Sequence, residues 1–320
     1  MNTFGKICLC FSGVALLTGG LYVTGNEIYH YGKSQVKVEN KTEDTNLILE
    51  KTKADLLLAQ TENNNLKIQL KETQDELDEA LANGDPEKVA DLEDQITTLS
   101  LQLEESEVEV TNLTNKFNLL LTIMDKTITS ISAEQFDLLG LTSLGGSFFQ
   151  DCKNLTSVEM SNNITSLGTG VFMNCTALNN VTISTSISTL STQAFYKCSS
   201  LETITIPSSV KTITGMCFQS CTNLSEVIIE EGLKIINDNT FNGCSNLTTL
   251  ELPSSLERMS SKSLSGSSIT TLIFNSETPI EDSSFLTNAT NLTTIYVPAE
   301  YVELYKTAWT SFADKIQAKA

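Results

Sequence analysis

Five cysteines recur at a fixed interval in this sequence, and cysteine is the residue type here with the widest chemistry. They lie 23 residues apart, at Cys152, Cys175, Cys198, Cys221 and Cys244. A thiolate can act as a nucleophile, ligate a metal ion or form a disulfide. Ser/His/Asp and Cys/His catalysis and mixed His/Cys metal sites need histidine, and the single histidine, His30, is distant in sequence. We therefore predict no catalytic residue, no metal site and no cofactor, and an enzyme is the poorer interpretation.

Each cysteine occupies the same place in a repeated apolar pattern. A phenylalanine comes three residues before it and a leucine three residues after it, as in Phe195, Cys198 and Leu201. An alternating apolar pair follows, Ile204 and Ile206 in that copy. A period of roughly 20 to 30 residues with fixed apolar positions predicts a solenoid, whose coils bury their apolar faces only against each other.

The repeat also predicts where the thiols lie. Equivalent positions in stacked coils are about 4.8 Å apart, so the cysteines form a ladder on one inner face. Side chains that point the same way along a ladder lack disulfide geometry, which favours buried free thiols over disulfides or metal ligands. The cysteines then mark the buried side of each coil and leave any function to other positions.

The composition argues against one class of partner. The chain has 320 residues, a hydrophobic fraction of 40%, a net charge of −19 and a pI near 4.4. Most of the acidic excess lies in residues 39–124, so the charge indicates a solvated helical region more than a binding surface. Because no basic patch is available to neutralise phosphates, we predict no nucleic-acid binding.

The amino terminus, residues 1–24, reads as a targeting or anchoring segment. It contains an almost continuous apolar run from Ile7 to Val23, which is short for a membrane span and long for the core of a signal peptide. An uncleaved signal-anchor is favoured over a cleaved signal peptide, and a buried helix is the third alternative. Membrane contact is predicted through residues 4–23.

Residues 25–46 are predicted to be a linker. Three lysines, Lys33, Lys37 and Lys41, follow the apolar segment, and only Lys6 and the amino terminus precede it. Taken literally, the positive-inside rule would place the carboxyl-terminal part in the cytoplasm. The difference is a few lysines diluted by nearby acidic residues, so the membrane topology stays open.

Residues 47–124 are predicted to form an α-helical coiled coil of two segments. In the second segment, seam residues alternate spacings of three and four without a slip, and only Ser106 is polar. These residues are Val89, Leu92, Ile96, Leu99, Leu103, Ser106, Val110, Leu113, Phe117, Leu120 and Met124. The first segment has a weaker seam that includes Thr52, Asn63 and Thr73. Asn63 either fixes the register or is a tolerated polar residue.

The two segments are separated by a break at residues 83–86. Gly84 can end the first helix, Asp85 can cap the second and Pro86 can occupy its first turn. The near-equal arms fit a helical hairpin, whereas an in-line arrangement would make an oligomeric stalk. The order of anchor, heptads and solenoid favours the stalk, with homo-oligomerisation through the coiled coil.

The rest of the chain divides into three parts. Residues 125–140 are a transition that we expect to cover the first coil, and residues 141–298 form the solenoid. The tail, residues 299–320, has apolar residues at helical spacing and is predicted to be a helical cap on the last coil. These residues are Val302, Tyr305, Trp309, Phe312 and Ile316.

Residues 141–297 resemble the BspA-type leucine-rich repeats of bacterial surface proteins. The nearest copy of the family pattern is AFYKCSSL at residues 194–201, followed by IPSSV at residues 206–210. The resemblance implies a leucine-rich-repeat solenoid with a curved parallel β ladder, used for adhesion or ligand binding. Departures come late, where the sixth coil is expected to have Leu264 in place of phenylalanine and Gly266 in place of cysteine.

We therefore interpret the chain as a non-enzymatic cell-surface binding or adhesion protein, membrane-anchored or secreted. Its predicted partner is a protein or cell-surface ligand of host or microbial origin, bound by outward residues of the strands. The candidates are Glu159, Thr182, Thr205, Glu226, Ile228, Glu251, Thr271, Ile273 and Tyr296. A strand face selected only for solubility and β propensity is the competing explanation of these residues. The alternative function is a structural or oligomerisation scaffold, in one version facing the cytoplasm, with the solenoid as a spacer.

Overall fold

A computed structural model describes the backbone of residues 41–319 and the side chains from Thr45 onward. The predicted targeting segment, residues 1–24, and its membrane contact lie outside the described residues, as does most of the predicted linker. Among the helices of the described range, none combines the length and the apolar character needed to cross a membrane.

Two long helices open the described chain, α1 (Lys41–Asn83) and α2 (Pro86–Met124). Helix α1 begins inside the predicted linker, six residues before the predicted start of the coiled coil. The turn between the helices follows the sequence signals. Gly84 has a positive φ of 69°, and the Asp85 carboxylate caps α2 by accepting from the Lys88 backbone N–H at 3.2 Å.

The two helices fold back on each other as an antiparallel hairpin. The seam of α1 alternates spacings of four and three, and all its members are buried or half-buried. They are Thr45, Leu49, Thr52, Leu56, Ala59, Asn63, Leu66, Leu70, Thr73, Leu77 and Ala80. The in-line stalk favoured by the segment order is wrong, because the two seams face each other within one chain. Asn63 Nδ2 donates to Ser106 Oγ at 3.3 Å, and Lys67 Nζ lies 3.0 Å from Glu107 Oε1.

The base of the hairpin is part of the solenoid's hydrophobic core. Leu49 of α1 and Leu120 and Ile123 of α2 belong to the buried cluster that continues through the coils. Near the turn, Leu77 and Leu92 belong to a second, separate cluster. The hairpin is therefore fixed to the solenoid at one end.

The predicted transition, residues 125–140, forms β1 (Ser130–Ile131) and α3 (Ala133–Leu139). Ser132 caps α3 through a capping box with Gln135, and Gly140 ends the helix in the left-handed conformation. The Phe136 ring stands edge-on against Phe149 with centroids 6.0 Å apart. The transition thus covers the first phenylalanine of the repeat.

The repeat region, residues 141–298, winds into a solenoid of parallel strands on two sides. The long-strand side contains, after β1, β3 (Ser157–Glu159), β5 (Asn180–Thr182), β7 (Thr203–Ile206), β9 (Glu226–Ile229), β11 (Thr249–Leu252), β13 (Thr271–Phe274) and β14 (Thr294–Val297). The short-strand side contains β2 (Ser143–Leu144), β4 (Ser166–Leu167), β6 (Thr189–Leu190), β8 (Thr212–Ile213), β10 (Ile235–Ile236) and β12 (Arg258–Met259). Every pairing between these strands is parallel, which confirms the predicted parallel ladder.

A third side of each coil is irregular but still bonded to the next coil. The N–H groups of Gln193, Phe195 and Lys197 donate to carbonyls of the following coil at 3.2, 2.9 and 2.9 Å. Gln193 and Lys197 both have left-handed backbones, with φ of 58° and 60°. This pair of left-handed residues, four apart, recurs in the neighbouring coils and turns the chain around each phenylalanine.

The phenylalanines stack along the axis of the solenoid. The rings of Phe149, Phe172, Phe195, Phe218 and Phe241 have neighbouring centroids 5.3 to 6.0 Å apart and planes within 12° of parallel. The stack ends at the sixth coil, where Leu264 takes the phenylalanine position as predicted.

The predicted alignment of the sixth coil is wrong at Gly266. The Ser267 N–H donates to the Leu264 carbonyl at 3.2 Å, as the Cys244 N–H donates to the Phe241 carbonyl at 3.1 Å. Buried Ser267 therefore holds the cysteine position, and the coil loses its residue after that point. The repeat spacing agrees with this placement, because Ser267 lies 23 residues after Cys244 and three residues after Leu264.

The chain ends with α4 (Ser284–Thr287), a 3-10 turn (Ala299–Tyr301), α5 (Val302–Ala308), a second 3-10 segment (Thr310–Lys315) and β15 (Ile316–Ala318). The Trp309 ring is buried edge-on against Phe274 at 5.1 Å, and its Nε1 donates to the Ile280 carbonyl at 3.0 Å. The tail is not helical to its end as predicted, because Ile316 starts a strand that pairs in parallel with β14.

Replacing glycine by alanine is expected to destabilise the protein by different amounts at two positions near the second coil. A Cβ on Gly168 would lie 2.2 Å from the Gly146 backbone nitrogen, whereas Gly170 has only Met173 side-chain atoms nearby, the nearest at 3.5 Å. We expect Gly168→Ala to lower the free energy of unfolding by about 3 kcal/mol or more. Gly170→Ala should cost about 1 kcal/mol, for its left-handed φ of 64° alone. Urea denaturation measures both, and equal losses would contradict the close packing of the coils.

Candidate functional site

Seven of the nine candidate residues share one outward column on the long-strand side. Strand register pairs Glu159 with Thr182, Thr205 with Ile228, and Glu251 with Ile273. Tyr296 follows Ile273. The position is seven residues after the cysteine in the first five coils, which fixes the order of the column: Glu159, Thr182, Thr205, Ile228, Glu251, Ile273 and Tyr296. We call it the first column.

The other two candidates, Glu226 and Thr271, lie two residues earlier on their strands and belong to a second column. Thr203 pairs with Glu226, and Thr249 pairs with Thr271. The sequence analysis missed five members of this column, namely Ser157, Asn180, Thr203, Thr249 and Thr294. The fixed offset of five residues from each of the first five cysteines could have found most of them.

The first column changes character along the solenoid. Its first three members are polar and exposed, whereas three of the last four are apolar. Ile228 is 45% exposed, and Ile273 and Tyr296 are half-buried. The large apolar side chains are thus confined to the carboxyl-terminal coils of this side.

A small polar network borders the apolar part of the column. Lys319 Nζ donates to Glu251 Oε1 and to Asn275 Oδ1, each at 2.8 Å. Asn275 Nδ2 also donates to Glu251 Oε1, at 3.0 Å. These bonds, first that of Lys319 and then that of Asn275, hold the pKa of the Glu251 carboxyl below its usual value. The network ties the segment after β15 to β11, two strands beyond its own neighbour.

An open cavity of about 470 Å³ lies near the other end of the column, beside α3. Asp137, Glu159 and Thr182 are among its lining residues. The Asp137 carboxylate accepts hydrogen bonds from the Ser161 hydroxyl and, at 2.8 Å, from Asn163 Nδ2, and both lower the pKa of Asp137. Several of the polar side chains that line the cavity form hydrogen bonds with each other. We therefore interpret the cavity as a place where loops of neighbouring coils meet.

Many hydroxyl groups next to the columns bond one coil to the previous coil. Ser225 Oγ donates to the Glu202 carbonyl at 3.2 Å, and Thr293 Oγ1 donates to the Thr270 carbonyl at 3.1 Å. Thr156 Oγ1 makes the same bond near the start of the solenoid, at 2.9 Å. Part of the serine and threonine content is therefore explained by the stacking of coils.

The cysteines form the predicted buried ladder, and their thiols have a specific structural role. Cys175, Cys198, Cys221 and Cys244 each donate through Sγ to a phenylalanine carbonyl of the preceding coil, at 3.0 to 3.2 Å. Burial raises the pKa of every one of these thiols. The pKa reaches about 11 for Cys152 and about 12 for Cys244. The thiols are therefore protonated at physiological pH and unsuited to nucleophilic attack.

A metal centre has no support in the part of the chain that the structure describes. Residues 41–319 contain no group of three or more His, Cys, Asp or Glu side chains placed to hold a metal ion. The candidate residues of the two columns lie in register on the long-strand side of the solenoid.

Comparison with protein families gives a match over the repeat region. A model described as "BspA type Leucine rich repeat region" matches six copies, over residues 142–236 and 212–315. The matched range begins at the first coil and extends into the tail. No curated protein matches the chain significantly.

Several solved structures are similar to the repeat region. A leucine-rich repeat protein from Eubacterium ventriosum is 29% identical, with 45% of this chain and 42% of that chain covered and a TM-score of 0.40. A leucine-rich cell surface protein from Faecalibacterium prausnitzii is 24% identical, with 49% and 45% covered and a TM-score of 0.39. A leucine-rich repeat protein of T. pallidum is 15% identical, with 56% and 81% covered and a TM-score of 0.35. The aligned part spans less than half the length of the first two.

The thiol ladder predicts a specific loss of stability in alkali. Burial raises the pKa of the Cys152 thiol from 9.0 to about 11 and that of the Cys244 thiol to about 12. It also raises the pKa of the other ladder thiols, so all of them keep their protons while unfolded thiols ionise. Their contribution is complete below pH 9 and is lost as the pH rises towards 12. Each thiol should lower the free energy of unfolding by about 1.4 kcal/mol per pH unit between pH 9 and its own folded pKa.

The matched variant is Cys244→Ala, studied by urea denaturation at several pH values in the presence of a reductant. Above pH 9, the free energy of unfolding of the variant should fall less steeply with pH than that of the parent. The difference in slope should equal the contribution of one thiol. If the free energy of unfolding has the same slope against pH in the variant and the parent, Cys244 ionises equally in the folded and unfolded states.

Proposed function

Because this chain belongs to the BspA-type leucine-rich-repeat family, we propose that it is a non-enzymatic cell-surface binding or adhesion protein whose long-strand side holds a protein partner. Leucine-rich-repeat solenoids generally mediate protein–protein interactions, and BspA-type proteins are typically cell-surface proteins. The partner is a protein or cell-surface ligand of host or microbial origin. Localisation at the surface, anchored through residues 4–23 or secreted, is part of the same proposal.

One observation carries the proposal, the exposed apolar end of the first column. A strand position that faces water is served by threonine or glutamate, as Thr182 and Thr205 illustrate. Ile228 instead leaves an apolar side chain 45% exposed, with Ile273 and Tyr296 further along the same column. Aliphatic and aromatic side chains on a polar surface favour contact with another protein.

The protonation of the thiols supports a binding role over a catalytic one. Thiols are the most nucleophilic groups that the repeat provides, and in Cys152 to Cys244 burial holds them neutral. The column residues contribute carboxylates, hydroxyls and apolar groups on a flat sheet. Such a surface offers contact area and hydrogen bonds.

The proposal includes roles for the two ends of the described chain. The hairpin of α1 and α2 is a two-stranded coiled coil, in which the a and d positions form the seam. The tail after β14 is a cap, since Tyr305 and Trp309 bury their rings against the last coils. These segments protect the solenoid core and leave the long-strand side to the partner.

The scaffold alternative requires the helices to associate between chains. In the hairpin the two seams are already in contact within one chain, and the polar seam residues Asn63 and Ser106 bond to each other. This arrangement favours a binding protein with an intramolecular helical arm over an oligomer built from the same seam.

The first test replaces the apolar column residues. The double variant Ile228→Thr and Ile273→Thr should keep the fold, because both positions project from the sheet. Its binding to epithelial and to bacterial cells, measured with labelled protein by flow cytometry, should fall about tenfold. The control is Ile235→Thr, the same change on the short-strand side, which should bind like the parent. Unchanged binding of the double variant would remove this face from consideration.

The second test concerns localisation. Intact cells of the source organism are treated with a protease, and the solenoid is followed with an antibody. Cleavage or release of the solenoid is expected while a cytoplasmic marker stays intact. If the solenoid stays intact while a known surface protein is cleaved, the proposed surface localisation is wrong.

A further inference from the structure

The tip of the hairpin, defined as residues 75–94, lies far from the solenoid. From the Asn63–Ser106 contact, α1 continues for 20 residues to its end at Asn83, a rise of about 30 Å. Among the described residues, the buried cluster of the tip contains Leu77, Ala80 and Leu92 and no residue of the solenoid. The tip therefore has its own small core and is not needed to cover the first coil.

The tip carries an open apolar groove. Leu81 is 57% exposed although it follows Ala80, the last buried residue of the seam. The Leu81 side chain lines a groove of about 460 Å³ together with Pro86, Val89 and Ala90. A large aliphatic side chain at the rim of a seam, with apolar neighbours across the turn, leaves room for one apolar side chain of another molecule.

The charge around this groove is predominantly negative. Residues 75–94 include nine carboxylates and a single cation, Lys88. Glu93 and Asp85 are among the groove's lining residues. The last turn of α1 has no basic residue, so the partial negative charge of its terminal carbonyls adds to the acidic field. This potential repels a second copy of the tip and an anionic lipid surface, and it attracts cations.

We propose that the hairpin tip is a second docking surface, which takes a cationic polypeptide segment with a large apolar side chain between lysines or arginines. The apolar side chain enters the groove beside Leu81, and the cations lie over the surrounding carboxylates. The solenoid is fixed at the base of the hairpin, so this surface is separate from the columns of the long-strand side. It can be occupied while the solenoid holds its own partner.

The experiment uses the full-length protein and a labelled helical peptide of leucine and lysine as the probe. Fluorescence anisotropy measures its dissociation constant at low and at physiological ionic strength. Leu81→Asn should weaken binding about tenfold, and Glu93→Gln about threefold. Raising sodium chloride from about 50 to 200 mM should weaken binding of the parent severalfold, because exposed charges are screened.

The matched controls carry the same changes elsewhere on the hairpin. Leu101 is 60% exposed on α2 and outside the tip, so Leu101→Asn should change the dissociation constant less than about twofold. Glu104→Gln removes one carboxylate outside the tip and should have a similarly small effect. Circular dichroism checks that all variants keep their helix content. Equal weakening by Leu81→Asn and Leu101→Asn, or failure of the parent to bind, would overturn the proposal.

Discussion

The backbone carbonyl group of each stacked phenylalanine helps to set the spacing between successive coils of the solenoid. In four successive coils, those of Phe149, Phe172, Phe195 and Phe218, it accepts the N–H of the cysteine in its own coil and the thiol of the cysteine in the next. A buried carbonyl left without these donors would cost about 1 to 3 kcal/mol. Cysteine suits the position because it is small, apolar enough for the core and still able to donate. The same bond brings successive phenylalanine rings into contact, so the coil repeat and the ring stack depend on it together.

The sixth coil shows what happens when that interaction stops. The Ser267 hydroxyl donates to the Leu264 carbonyl of its own coil, at 2.8 Å, and makes no bond back to Phe241. The ring stack ends at the same place, and the strands continue through Thr271 and its neighbours. From there the rings of Phe274, Tyr305 and Trp309 form a new cluster with edge-on contacts. The apolar part of the first column extends onto these coils, where the repeat is least regular.

The antiparallel pairing of α1 and α2 determines where α1 starts relative to the solenoid. Because α1 and α2 are antiparallel, the chain enters α1 at the end of the hairpin where the solenoid also begins. The hairpin is therefore an arm that leaves the solenoid. The two polar seam residues, Asn63 and Ser106, meet at 3.3 Å, and a shift of either helix would leave an amide and a hydroxyl unpaired against leucines. That pairing favours the observed register of the two seams.

The sequence by itself determined everything that depends on local period. The spacing from Phe195 to Cys198 and Leu201 predicted the coil, its buried side and the first column on its strands, since apolar side chains must recur at the same place in every coil. The heptads predicted both seams, and Gly84 and Asp85 predicted the turn. These features need only neighbours along the chain or one repeat away.

The tertiary structure decided what depends on contacts distant in sequence. Heptad spacing is the same for helices that pair within a chain or between chains, so only the meeting of Asn63 and Ser106 showed a hairpin. The strand at Ile316 formed because β14 offered unpaired backbone groups, and apolar spacing in the tail fits a helix as well as a strand. In each case the decisive energy came from a partner that the local pattern does not identify.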